Sequence, residues 1–155
     1  MKTSRDCVLA IAIVLLCTAL SFSQERKIKR SDLPPAVEQT VAAQSEGATI
    51  RGFSQEKENG QTFYEAEMMV NGHSKDILID STGGVAEVEE EVAMDSLPGP
   101  VKDGLQARAG KGKLGKVESL TKHDKLVAYE AVVQTNGKKS EIQVSPDGKP
   151  LDHEE

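Results

Sequence analysis

"YEAEMMVNGHSKDILIDSTG" (Tyr64–Gly83) and "YEAVVQTNGKKSEIQVSPDG" (Tyr129–Gly148) are one pattern written twice. Tyr, Glu, Ala, Asn, Gly, Ile and a final Gly coincide when the second stretch is laid on the first. In the first, Tyr64, Ala66, Met68 and Val70 alternate with Glu65 and Glu67; in the second, Tyr129, Ala131 and Val133 alternate with Glu130 and Gln134. That is the period of a half-buried strand. Asn71-Gly72 and Asn136-Gly137 follow, and Asn-Gly favours a two-residue type I′ hairpin because both central residues need positive φ. A further strand carries Ile77 and Ile79, or Ile142 and Val144, inward and ends at Gly83 or at the Pro146-Asp147-Gly148 turn.

The likeness extends upstream. "SDLPPAVEQTVAAQ" from Ser31 and "DSLPGPVKDGLQAR" from Asp95 each place cap-forming polar residues before Leu-Pro. Apolar residues then recur four apart: Leu33, Val37, Val41 and Leu97, Val101, Leu105. Two short amphipathic helices are expected. Between helix and hairpin an earlier strand is expected around Arg51–Lys57 and Lys116–Lys122. Its apolar pairs, Ile50 with Phe53 and Leu114 with Val117, are three apart, which strict alternation forbids on one face. A bulge, or Ile50 lying in the loop under the helix, reconciles them.

An internal duplication therefore decides the fold reading. The expected class is α+β, with two tandem repeats, each a helix packed on a three- to four-stranded antiparallel meander sheet. The repeats cover residues 33–88 and 97–155. A unit of about 60 residues buries little core alone, so the copies should lean on each other. In the joining segment "GGVAEVEEEVAMDS", Val85, Ala86 and Val88 extend a strand. The following glutamates begin an acidic linker, 89–96.

Ahead of the repeats, Lys2 and Arg5 precede a thirteen-residue apolar run, Val8–Leu20. A membrane-spanning helix needs about 20 residues, so residues 1–23 read as a signal peptide. Cleavage is expected before Gln24, with Phe22 the near alternative. Leu16 before Cys17 speaks against a lipid anchor, which wants a small residue there. Both cysteines, Cys7 and Cys17, lie in this segment, so the exported chain would be held by its core without disulfides. Cleavage takes Lys2, Arg5 and Asp6 from the 19 basic and 25 acidic residues, moving the net charge from −6 to −7. That excess makes nucleic acid an unsuitable partner. Residues 24–32 form a basic arm, "QERKIKRSD", read as a solvated, frayed terminus without membrane contact.

Several motifs imitate active sites. "AGKGKLGKVES" (Ala109–Ser119) contains both G-x-G-x-x-G and G-x-x-x-x-G-K. A phosphate loop runs from strand into helix N-terminus, whereas this loop leaves a helix for a strand, so no nucleotide is expected. Ser119-Leu-Thr-Lys122 matches S-x-x-K, but on a strand and without S-D-N or K-T-G. His73, His123 and His153 have no zinc spacing. Glu87, Glu89, Glu90 and Glu91 lack a calcium-loop frame and read as a solvated linker. No catalytic set, cofactor or metal ligand is proposed, and the chain reads as a non-enzyme.

L-P-x-x-V, Y-E-A, N-G and I-x-I/V-x-x-x-G, occurring twice after a signal peptide, resemble the PepSY-like domains of exported bacterial proteins. The tandem arrangement is similar to the beta-lactamase inhibitory proteins, whose paired sheets form a concave binding surface. The resemblance implies a helix on an antiparallel sheet in each copy and a free-standing binding or inhibitory module, with an exported peptidase as one partner class. No H-E-x-x-H or peptidase domain is present. With Tyr64 and Ile77 facing the helix, Phe63, Met69 and Leu78, and Val132 in the second copy, point to the other face as candidate partner-binding residues. Two other readings remain: a structural or envelope-stress protein that self-associates, and a weak divalent-cation binder acting through the acidic linker.

Overall fold

The computed structural model describes residues 25–151 and Glu155; the signal-peptide segment 1–23 and His153 lie outside them. The order is β1 (Arg26–Ile28), a 3₁₀ turn (Arg30–Asp32), α1 (Pro35–Gln44), β2 (Thr49–Glu58), β3 (Gln61–Val70), β4 (His73–Asp80) and β5 (Val85–Glu91). A second 3₁₀ turn (Met94–Ser96), α2 (Gly99–Ala109), β6 (Lys113–Lys122), β7 (Lys125–Thr135) and β8 (Lys138–Val144) complete it.

The eight strands form one antiparallel sheet in sequence order. This corrects the expected pair of repeats, each with its own three- to four-stranded sheet. β5 is the cause. It pairs with β4 on one side, Ile77 opposite Val88, and with β6 on the other, Glu89 opposite Leu120. The glutamates read as an acidic linker from residue 89 are instead the end of this strand, up to Glu91. The basic arm is also corrected: Arg26–Ile28 pairs with Phe53–Gln55 at the sheet edge rather than fraying.

Local turn chemistry behaves as the residues dictate. Asn71 and Gly72 have φ of 52° and 89°, and Asn136 and Gly137 of 52° and 80°, so both hairpins adopt the primed geometry. Bulges fall between Ile50 and Gly52 and between Leu114 and Val117, which explains the three-residue apolar spacings. The helix starts differ from the capping expectation. Pro34 and Pro98 hold the N-cap positions without a side-chain cap. A residue followed by proline is driven to extended backbone. Leu33 and Pro34 accordingly have ψ of 137° and 150°, which delays α1 to Pro35 and leaves the polar residues upstream in the 3₁₀ turn.

Both helices lie on one face. Under α1, Leu33, Val37 and Val41 pack with Phe53, Ala66, Met68, Ile77 and Ile79. Under α2, Leu97, Val101 and Leu105 pack with Val117, Ala131 and Val144. Val88 of β5 joins the first cluster, and Val92, just past that strand, joins the second. The strand between the halves is thus bound into the sheet by pairing on both edges, with Val88 packed on one core cluster and Val92, just beyond it, on the other.

Each helix is also tied to the turn that ends its meander, by two different devices. Thr40 Oγ1 donates to the Gly83 carbonyl at 2.7 Å. Sixty-four residues on, Gly104 occupies the place of Thr40. There the Gly148 carbonyl comes so close to α2 that a Cβ on Gly104 would overlap it. A side-chain hydrogen bond in one half is replaced by bare backbone packing in the other.

Candidate functional site

The opposite face of the sheet carries no helix. Residues there alternate with the helix-facing ones, and the register lines them up across strands. One row runs Ser54, Glu65, Leu78, Glu87, Lys122; the next runs Glu67, Asp76, Glu89, Leu120, Ala128. The middle of this face is dominated by carboxylates.

Phe63, Met69, Leu78 and Val132 all lie on this uncovered face and are half-buried. Phe63 sits beside Glu56 and Asp80, and Leu78 between Glu65 and Glu87. Met69 is at the far end of β3, opposite Ser74, and Val132 is on β7 opposite Glu141. The four do not form one apolar patch. The groups that join them are acidic, and the sequence reading missed these as a unit. Its available signal was Y-E-A-E on β3, with acids at alternate positions on β5 and at Asp76 and Asp80 on β4.

A cavity of about 210 Å³ opens on the face, lined by Glu25, Glu56, Glu65, Asp76, Glu87 and Glu89 together with Leu78. Burial pushes the pKa values of Glu65, Asp76 and Glu87 up from those of ordinary carboxylates. For Glu87 burial outweighs Lys122, whose ammonium is 3.6 Å away. Glu89 is pushed up to about 8, first by burial and then by the charges of Glu87, Glu118, Glu130 and Asp76. Near neutral pH it therefore holds a proton. The ordinary acidity of glutamate would leave it ionised.

The cations are peripheral. Lys27 of β1 reaches onto the face and bonds Glu67, with Glu25 at 3.6 Å. Lys116 pairs with the buried Glu118 at 2.6 Å, and Ser74 Oγ donates to the same carboxylate at 3.1 Å. Beyond β6 the face changes sign. Lys113, Lys116 and Lys139 surround a depression of about 330 Å³ floored by Leu114, Gly115 and Val132.

The other sequence candidates fall apart in space. Glu87, Glu89 and Glu91 share the uncovered face, but Glu90 faces the helix side, where Lys75 binds it at 2.8 Å. The acidic run therefore does not converge as a unit. Asp76, Glu89 and Glu118 do, with oxygens within 4.8 Å of one another, although Glu118 is already committed to Lys116 and Ser74. The glycine-rich loop leaves α2 at Gly110 and enters β6, so its amides stand at a helix C-terminus. Ser119 and Lys122 lie on that strand, three residues apart and on opposite faces. His73 stands 3.7 Å from Glu91 at the surface, with no nucleophile in the pair.

An eight-stranded antiparallel sheet carrying two helices on one face is an architecture already represented among solved structures. The chain is similar to a BLIP-like protein from Bacteroides fragilis, at 20% identity over 77% of this chain and 83% of that one, with a TM-score of 0.56. It is similar to a DUF2874 family protein from Bacteroides ovatus, at 17% identity over 77% and 84%, with a TM-score of 0.59. A protein from Bacteroides eggerthii, designated a candidate periplasmic protein, matches at 16% identity over 77% and 86%, with a TM-score of 0.62. At these identities the likeness is one of fold. No family model, PepSY-like or other, matches the sequence, and no curated protein is found as a relative. Among the described residues no helix is long and apolar enough to cross a membrane.

Proposed function

We propose that this chain is an exported, non-enzymatic protein-binding module that docks its partner on the uncovered sheet face. The observation that carries the reading is the face itself. It spans the sheet without a covering helix and carries half-buried apolar side chains, Phe63 and Leu78 among carboxylates, Met69 opposite Ser74 and Val132 in the lysine-edged depression. Apolar anchors with a charged surround are the usual anatomy of a protein interface. The BLIP-like neighbour supports this reading, as does the candidate periplasmic designation of the third. Export rests on residues 1–23, and the mature chain begins at Gln24 or Phe22. An exported peptidase is the partner class suggested by the PepSY-like resemblance, with the module acting as its inhibitor or modulator.

Phe63→Ser, Met69→Ser and Leu78→Ser combined test the proposal by cross-linking pull-down from the exported fraction of the native host. None of the three faces a helix, so the variant is expected to fold, as judged by circular dichroism, and to lose the protein that the parent captures. A triple variant that fails to fold would make the face part of the core. Undiminished capture of the same protein would remove these residues from the interface.

A further inference from the structure

We infer that the partner segment received by this face is an extended basic stretch, with lysine or arginine at alternate positions, seated from β2 to β5. This rests on the protein-binding reading above and adds the chemistry of the partner. From β1 to β5 the face sets Glu56, Glu65, Glu67, Asp76, Glu87 and Glu89 against Lys27. Glu65, Asp76 and Glu89 have no lysine or arginine within ion-pair distance among the described residues. Charge complementarity of this kind selects a cationic partner and repels an acidic one.

The chain already shows how a cation is held there. Lys27, on the three-residue edge strand β1, projects onto the face and is bonded by Glu67. The cavity beside it is lined by carboxylates around Leu78, which suits a long side chain with an aliphatic stem and a cationic head. Spacing argues for an extended segment. Glu65 and Glu67 on β3, like Glu87 and Glu89 on β5, are two residues apart, about 6.6 Å along a strand. Alternate residues of an extended ligand lying along the strands repeat at the same interval. The proton held by Glu89 supports the reading as well, because an arriving cation replaces it at no cost in net buried charge.

The test uses a fluorescein-labelled octapeptide alternating arginine and serine, and a matched peptide with glutamate in place of arginine. Anisotropy is read with the full mature chain near neutral pH and low salt. The arginine peptide is expected to bind and the glutamate peptide not to. Glu65→Gln with Glu87→Gln should weaken binding at least about tenfold. Burial disfavours both charges, so the neutral variant should fold at least as well. Glu46→Gln with Asp103→Asn, exposed and on the helix side, removes the same charge and should leave binding within about twofold. Equal losses in the two double variants would reduce the effect to net charge and overturn the proposal, as would equal binding of the two peptides. A self-dimer seen by ultracentrifugation, and dissociated by the Glu65/Glu87 variant, would give the face to a second copy and overturn it too. If the peptides fail while the Phe63, Met69 and Leu78 variant still loses its captured protein, the binding module stands and only the basic chemistry falls.

Discussion

Gly148→Ala is expected to destabilise the protein by about 3 kcal/mol, the cost of overpacking at a backbone contact combined with an unfavourable φ. Gly148 has φ of 81°, where a Cβ is strained, and that Cβ would overlap the carbonyl of Pro100 in the first turn of α2. Neither partner is the end of a flexible side chain that can swing away. α2 would have to lift off the sheet, opening the cluster of Val101, Leu105 and Val144 beneath it. Gly83→Ala should follow in the same direction with a smaller loss, because its Cβ would stand 2.8 Å from the Ala36 carbonyl. Urea unfolding monitored by circular dichroism measures both. Parental stability in Gly148→Ala would show that α2 is not held by this turn.

Glu89→Gln should stabilise the protein by about 2 kcal/mol at about pH 8.5, after allowance for screening by water at a half-buried group, and should change little at about pH 5. The sign follows from Glu89 being held up to about 8, far above its value in the unfolded chain. Between the two values the folded state binds the additional proton, so the parent loses stability as pH rises through that window. Glu65, Asp76 and Glu87, raised by burial, act in the same direction. The glutamine side chain keeps the shape and never ionises. In thermal denaturation the variant's advantage should grow to roughly 5–10 °C at the alkaline end. The same advantage at both pH values would refute the protonated state of Glu89.

The parts of this molecule legible in the sequence were those written in local chemistry. Asn71-Gly72 and Asn136-Gly137 specify their hairpins because few residues tolerate the required φ. The four-residue apolar spacing placed both helices, and the broken alternation at Ile50 and Leu114 left a bulge or a loop position for Ile50, of which the register has the bulge. The assembly was not legible, because it depends on β5. Glutamate is a poor strand former, and the register shift between Leu78 and Ile79 leaves Val85 and Val88 three apart in "VAEVEEE", so alternation is lost there. Pairing on both edges overrides those local preferences and turns two expected sheets into one.

The candidate site was half legible for a related reason. Alternation alone placed Phe63, Met69, Leu78 and Val132 away from the helices. The register across β2 to β6 was needed to show that Glu65, Glu67, Asp76, Glu87 and Glu89 fill the space around Leu78. Pairs such as Glu67 and Glu89 are distant in sequence and share one surface because the antiparallel β3–β4 and β4–β5 pairings bring them across from each other with Asp76 between. A one-residue slip of β5 would have sent its acids to the helix side.

The claim that the uncovered face is where another protein docks is tested most directly by site-specific photo-cross-linking in the native exported compartment. A photoreactive phenylalanine analogue is placed at Leu78 in one preparation and at the exposed Glu46, past the end of α1, in another. A discrete cross-linked protein is expected from position 78, diminished by Glu65→Gln with Glu87→Gln, and none from position 46. A product from position 46 with none from position 78 would contradict that claim.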